Sequence, residues 1–274
     1  MQLYFHESDK FPYRPISPIW MIIYVLPSFC FFIIVNRRVA TPNKDYSGGK
    51  STWPQRNTFI SFIHSCLSSI FVVIAIIRAP EMLDDPLSHT NRFNYALAAF
   101  SLGYFLWDFV DCKQNSALPV LGILIHHIAA ISFLGYVLFN TRNLGYALYG
   151  LSLEINSVFL HGRRLLRWYS PKSLSVRSKE RLRIFVTIGN YLTFIIFRFG
   201  VVGVCLHALY SQRHRVNIVV HVCITLATLA VCVLNVVLLY RLIKNDLISS
   251  SKSKQDVPKD NFTEQSIDEM LVAN

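Results

Sequence analysis

The sequence predicts an all-α polytopic membrane protein with about seven transmembrane helices, and three observations predict it. Of its 274 residues, 53% are hydrophobic and only 16% charged, against about 25% charged in an ordinary soluble domain. The apolar residues gather into runs long enough to cross a hydrocarbon core about 30 Å thick, for which roughly 20 residues of helix suffice. Finally, basic residues alternate between dense and sparse in successive connecting segments. These features exclude a disordered chain, a coiled coil and a disulfide-stapled secreted module.

Seven segments qualify: 19–35, 59–77, 95–111, 118–139, 144–161, 184–206 and 216–240. The first is followed, not preceded, by its positive flank, Arg37 and Arg38, and shows no small-residue cleavage pattern, so it reads as a retained helix. The second places Ser61, His64, Ser65 and Ser68 at helical spacing along one side. The third is short and polar, with Ser101, Tyr104, Asp108 and Asp111 sharing a face. The fourth carries His126 and His127, which as neighbours point about 100° apart. In the fifth, again short, Gly150, Glu154, Ser157 and His161 form a stripe. The third and fifth are expected to be shielded from lipid by the others. The sixth contains Arg198 and the seventh is nearly all apolar. Residues 1–49 then comprise an outer N-terminus, the first helix and the start of a cytosolic loop; 50–245 form a six-helix domain; 246–274, rich in Ser, Lys, Asp and Glu, are expected to be a disordered tail.

The charge distribution orients the chain. Nineteen Lys and Arg fall in the first, third and fifth loops and the tail, seven in the N-terminus and remaining loops, and one, Arg198, within a helix. By the positive-inside rule the first group is cytosolic and the N-terminus outside. The net charge of +11 therefore records topology and implies no nucleic-acid partner; the stretch 163–183 could also meet anionic lipid head groups. Cys30, Cys66, Cys205, Cys223 and Cys232 lie inside apolar runs and Cys112 at the end of one, so no disulfide framework is implied. A seven-helix receptor is disfavoured, since the third helix lacks a D/E-R-Y triplet and the seventh has Asn235-Val236-Val237-Leu238 in place of N-P-x-x-Y. Phosphate-binding and dinucleotide fingerprints are absent.

Ionisable groups in hydrocarbon are costly, which makes those within the helices the pointers to a site. Counted from the cytosolic ends at 1.5 Å per residue, Asp108 lies about 5 Å deep, His64 about 8 Å, Glu154 about 11 Å and His126 about 12 Å. His126, His127 and Glu154 are the candidate catalytic or cavity-lining residues, with His64, Asp108, Ser157 and His161 as binding residues. Arg198 counts into the outer half and is expected to act apart from them, structurally or by snorkelling. No metal is expected, because His126, His127 and Glu154 come without a fourth ligand that can be named.

The stretches WPQRN (53–57), SFIHS (61–65), APEM (79–82), SLGYFLWDFVD (101–111), ILIHHIA (123–129) and LGYALYGLSLEINSVFLHGRRLL (144–166) resemble the TLC-domain family over about 50–245. That family includes ceramide synthases and translocon-associated membrane proteins, and the motif combination is similar to its calfacilitin-like branch of membrane-fluidity regulators. The resemblance implies a plasma-membrane protein, with the endoplasmic reticulum as alternative, that limits incorporation of long polyunsaturated acyl chains into phospholipids; its partners are then phospholipids or acyl chains, and no cofactor is needed. The alternative it implies is an acyl-CoA-dependent acyltransferase of the ceramide-synthase type, with a histidine as general base. Both histidines of the ceramide-synthase motif match, at His126 and His127. Its downstream H-D-x-x-D reads Leu153-Glu154-Ile155-Asn156-Ser157, which removes one acid and the leading histidine and argues against ceramide synthesis.

The charge split makes a direct prediction about topology. A glycosylation acceptor introduced near Ser8 becomes modified and one in the tail does not, as read by glycosidase-sensitive mobility; the reverse pattern would invert the orientation.

Overall fold

A computed structural model describes residues 16–39, 53–115, 121–169, 174–215 and 217–254, with side chains except at 121 and 247–254. The described residues contain ten α-helices and no strand: α1 (Ile19–Arg38), α2 (Trp53–Arg78), α3 (Glu81–Asp84), α4 (Arg92–Asn115), α5 (Leu121–Asn140), α6 (Leu144–Ser152), α7 (Glu154–Trp168), α8 (Val176–Thr193), α9 (Val201–Ser211) and α10 (Ile218–Lys254). A π-helical stretch, Phe194–Gly200, joins α8 to α9.

Five helices are long and apolar enough to cross a membrane: Ile19–Arg38, Trp53–Arg78, Gly122–Asn140, Val176–Ser211 and Ile218–Asp246. The other two expected crossings fall on α4 and the α6–α7 pair, the two expected to need shielding. Burial surrounds α4, from Asn94 and Tyr95 through Leu102 and Trp107 to Asp111 and Cys112. In contrast α10 exposes Leu226, Leu229, Val233 and Val236, an apolar surface that hydrocarbon rather than water must cover.

Inter-helix contacts fix the direction of each pass. Tyr24 meets Tyr95 and Phe32 meets Trp107, so α1 and α4 run parallel. Pairs 57–108 and 68–101 make α2 antiparallel to α4, and pairs 108–127 and 95–138 do the same for α4 and α5. Helices α2 and α7 are antiparallel through pairs 65–154 and 55–169, and the α8–α9 pass and α10 through 198–235 and 191–246. This alternation matches seven consecutive crossings. It also gathers the basic termini of α1, α4 and α7 at one end of the bundle.

Close packing joins α1 to α4. A Cβ at Gly103 would stand 2.6 Å from Ser28 Cβ, and the Ser28 hydroxyl donates to the Phe100 carbonyl at 2.6 Å. Small residues allow such approach where no hydrophobic force separates helix contacts from lipid contacts. Around this seam the core holds Phe32, Ile60, Val72, Tyr95, Val137 and Leu138.

Helix boundaries depart from the expected ones in two places. The fifth segment is not one helix: the chain tightens at Leu153, whose N–H reaches the Gly150 carbonyl at 3.3 Å, and α7 then runs on to Trp168. The last helix continues to Lys254, past the expected start of the tail at 246. The rest of that tail, with the Asn261-Phe262-Thr263 sequon, and residues 1–15 lie outside the described residues.

At the end opposite the basic termini, fully buried Asp85 ties the α3–α4 connection to the α9–α10 turn. Arg215 donates to both carboxylate oxygens, at 3.2 and 3.1 Å, and the Ser88 hydroxyl donates as well. Burial pushes the Asp85 carboxyl up, but the Arg215 and Ser88 hydrogen bonds and the guanidinium charge together outweigh it and hold it below its ordinary 3.8. The ionised form is thus favoured by folding, so its contribution is complete above the ordinary carboxylate range and lost as pH falls below it. Removing one partner of a buried pair costs about 3–5 kcal/mol. With Arg215 one-fifth exposed (20%), Asp85→Asn is expected to cost about 3 kcal/mol at neutral pH. Thermal unfolding in detergent should show the gap between wild type and variant closing as the pH falls below 3.8.

Candidate functional site

The polar stripe of α4 converges with α2 and α5 on Asp108. Its Oδ1 accepts from Asn57 Nδ2 at 2.6 Å and from the Cys112 thiol at 3.8 Å. Its Oδ2 lies 3.1 Å from the Tyr104 hydroxyl and 3.2 Å from His127 Nε2. Tyr104, Asp108 and Cys112 meet because residues four apart share a helix face. One turn nearer the basic end, Asp111 accepts from Trp53 Nε1 at 2.7 Å and from Asn57 at 3.1 Å, with Arg56 at 3.7 Å. Ligand atoms of Asp108, Cys112 and His127 lie within 4.8 Å of one another, close enough to hold a metal ion; hydrogen bonding among them accounts for the same closeness.

Glu154 follows the break at Leu153, which begins α7 with this residue. Its Oε2 accepts from the Ser65 hydroxyl at 2.6 Å, and its nearest histidine is His64, whose Nδ1 is 3.9 Å away. The carboxylate that holds a histidine of the His126-His127 pair is therefore Asp108, not Glu154. His64 itself is fully buried, stacked on Tyr104 with ring centroids 3.8 Å apart and with Nε2 3.0 Å from Ser68 Oγ.

A cavity of about 440 Å³ opens between these helices and the α8–α10 side of the bundle. His126, His127, Glu154, Asp108, Ser157 and His161 all line it; His64 does not, and stands behind its wall as a support for Tyr104 and Glu154. Among the described residues His126 makes ring contacts with Phe105 and His127 but no hydrogen bond to protein, leaving its nitrogens to the cavity. His127 instead is buried against Asp108. Between these polar groups the lining is apolar, with Leu153, Leu160, Val231, Leu234 and Leu238.

Arg198 also lines this cavity, against the expectation that it acts apart from the other site residues. Its Nε donates to Asn156 Oδ1 at 2.6 Å, Nη1 to Asn235 Oδ1 at 2.9 Å and Nη2 to Ser157 Oγ at 3.2 Å. Counting residues from the ends of apolar runs set Glu154 and Ser157 too shallow, because α7 extends seven residues beyond 161, to Trp168, and this brings them level with Arg198. Asn57, Asn156, Arg198 and Asn235 were the site residues missed by sequence reasoning. Their signal was available: a lone amide or guanidinium in an apolar helix requires a partner.

An all-helical bundle whose membrane-crossing helices enclose a cavity lined by histidine, carboxylate and arginine defines a multi-pass membrane protein with an internal polar site. Within that class the chain belongs to the TLC domain family, whose model matches residues 56–244. It is 27% identical to TLC domain-containing protein 2 of Danio rerio over 82% of this chain and 89% of that protein. Against the Homo sapiens protein of the same name it is 29% identical over 78% of each. With TLC domain-containing protein 1 of Gallus gallus it shares 32% identity over 52% of this chain and 56% of the relative. No solved structure matches the chain.

The geometry separates framework from cavity residues. Asp108→Ala leaves His127 Nε2 without its acceptor and Asn57 and Tyr104 with only Asp111 and Ser61, and is expected to cost about 2–3 kcal/mol. In Glu154→Gln the amide oxygen still accepts from Ser65, at a cost of about 1 kcal/mol or less. Thermal unfolding in detergent should thus place Asp108→Ala well below Glu154→Gln, and equal midpoints would refute the assignment of Asp108 as the node.

Proposed function

We propose that the protein regulates the acyl composition and fluidity of membrane phospholipids, limiting the incorporation of long polyunsaturated chains, as a plasma-membrane member of the calfacilitin-like branch. The observation that carries this reading is the cavity, whose lining combines apolar side chains suited to an acyl chain with His126, Glu154, Ser157 and Arg198. Its relation to TLC domain-containing proteins 1 and 2 supports the same reading. The basic end faces the cytosol, and the cavity is open to lipid metabolites made there.

One geometric observation favours a second reading, acyl transfer from acyl-CoA. His127, held by Asp108 at 3.2 Å, has the base-and-orienter arrangement of a general base. In that reading Asp108 is the orienting acid, and Glu154 contributes to the cavity without touching the imidazole. Ceramide is not the product, because the second acid of the ceramide-synthase motif is Ser157.

Cells with and without the protein, fed a polyunsaturated fatty acid, test both readings by lipidomics. Loss of the protein should raise polyunsaturated phospholipids with ceramides unchanged. His126→Ala and Glu154→Gln, expressed at normal levels, should fail to reverse the change. If both variants restrict polyunsaturated chains as wild type does, the cavity is structural and the reading fails. Purified protein supplied with a sphingoid base and acyl-CoA should form no ceramide above background.

A further inference from the structure

The least explained group in the bundle is Arg198. A guanidinium placed among membrane helices ordinarily meets a carboxylate, yet no carboxylate of the described residues lies within 4.0 Å of this one. Its protein acceptors, Asn156, Asn235 and Ser157, are all neutral. Glu154 is near enough for its charge to be felt but is bonded to Ser65. Neutral acceptors position a guanidinium; they do not neutralise it.

Three further features turn this excess charge into a recognition element. Arginine has five N–H donors, and three are engaged, one on each nitrogen, which leaves one on Nη1 and one on Nη2. A pair of adjacent N–H groups is the fork that receives two oxygens of a carboxylate. Arg198 lies in the π-helical stretch Phe194–Gly200, a departure from the α-helix that recurs at functional positions. And His126, whose ring nitrogens bond no protein group among the described residues, lines the same cavity.

We infer that Arg198 and His126 form a subsite for the carboxylate of an unesterified long-chain fatty acid, with the chain lying along Leu153, Leu160, Val231, Leu234 and Leu238. The inference rests on the proposed function and names the ligand of the same cavity. Charge favours a carboxylate over a phosphate monoester. Arg198 offers one cation whose protein acceptors are all neutral, which a monoanion balances and a dianion overshoots. Shape agrees, since a carboxylate carries one chain and can enter end-on. Held in this way, a free fatty acid is withdrawn from the pool available for esterification.

The test uses the full-length protein in phosphatidylcholine nanodiscs with radiolabelled oleate. Wild type should bind oleate saturably. Methyl oleate, which keeps the chain and loses the anion, should compete at least about tenfold more weakly, the difference expected of a charge-assisted bidentate contact. Arg198→Gln and His126→Ala should each weaken oleate binding, and His126→Ala, which removes no hydrogen bond to protein among the described residues, should do so with a thermal midpoint near that of wild type. The competition arm requires no variant, so it decides the matter even if Arg198→Gln does not fold. Three results would overturn the inference: no saturable oleate binding, equal competition by the methyl ester, or tighter binding of lysophosphatidate, which would assign the fork to a phosphate. Any of these beside a normal lipidomic response in cells leaves the proposed function standing and removes only this ligand. A lost cellular response with oleate binding intact does the reverse.

Discussion

The bundle is organised around the need to surround Asp108 with donors. A carboxylate away from water is tolerable only if its oxygens are hydrogen-bonded, and here the donors come from its own helix and from both neighbours: Asn57 on α2, Tyr104 and Cys112 on α4, and His127 on α5. Meeting that requirement fixes the rotation and height of three helices at once. The contacts to either side follow from it. Asp111 reaches Trp53 one turn toward the basic end, and Tyr104 carries the stack with His64 one turn the other way. His64 in turn lies beside Glu154.

Membrane helices gain little from burying apolar groups against one another, because lipid chains offer the same environment. Specific contacts must then decide which faces meet. On the α1–α4 side these are close approaches such as Gly103 on Ser28. On the α7–α8–α10 side they are polar: Arg198 draws Asn156 and Ser157 from α7 and Asn235 from α10 onto the π-helical stretch. Each polar centre gathers its own helices, and the space between the two is left unfilled. That space is the cavity, with His126 facing it from one centre and Arg198 from the other.

The same construction separates tasks among the histidines. His127 is committed to Asp108, and His64 is enclosed between Tyr104, Phe32 and Ser68. His126 keeps its nitrogens for the cavity. Adjacent in sequence, His126 and His127 take opposite roles because about 100° of helix rotation separates them.

The sequence by itself determined the all-helical, multi-pass class, because crossing hydrocarbon demands long apolar runs whatever their partners. It also marked α4 and the α6–α7 pass as the shielded ones, since their polar stripes are costly in lipid. For the same reason it singled out His126, His127, Glu154, Asp108, Ser157 and His161, which the fold brings to one cavity. What it left open were pairings across helices. Nothing in the local sequence says that Glu154 meets Ser65, that Asp108 rather than Glu154 holds His127, or that Arg198 lies level with Ser157. These depend on relative height and rotation, which are set by where each helix truly ends and by the break at Leu153. Hydrophobic runs report the thickness of the bilayer; only the packed bundle decides which polar groups at a given depth face each other.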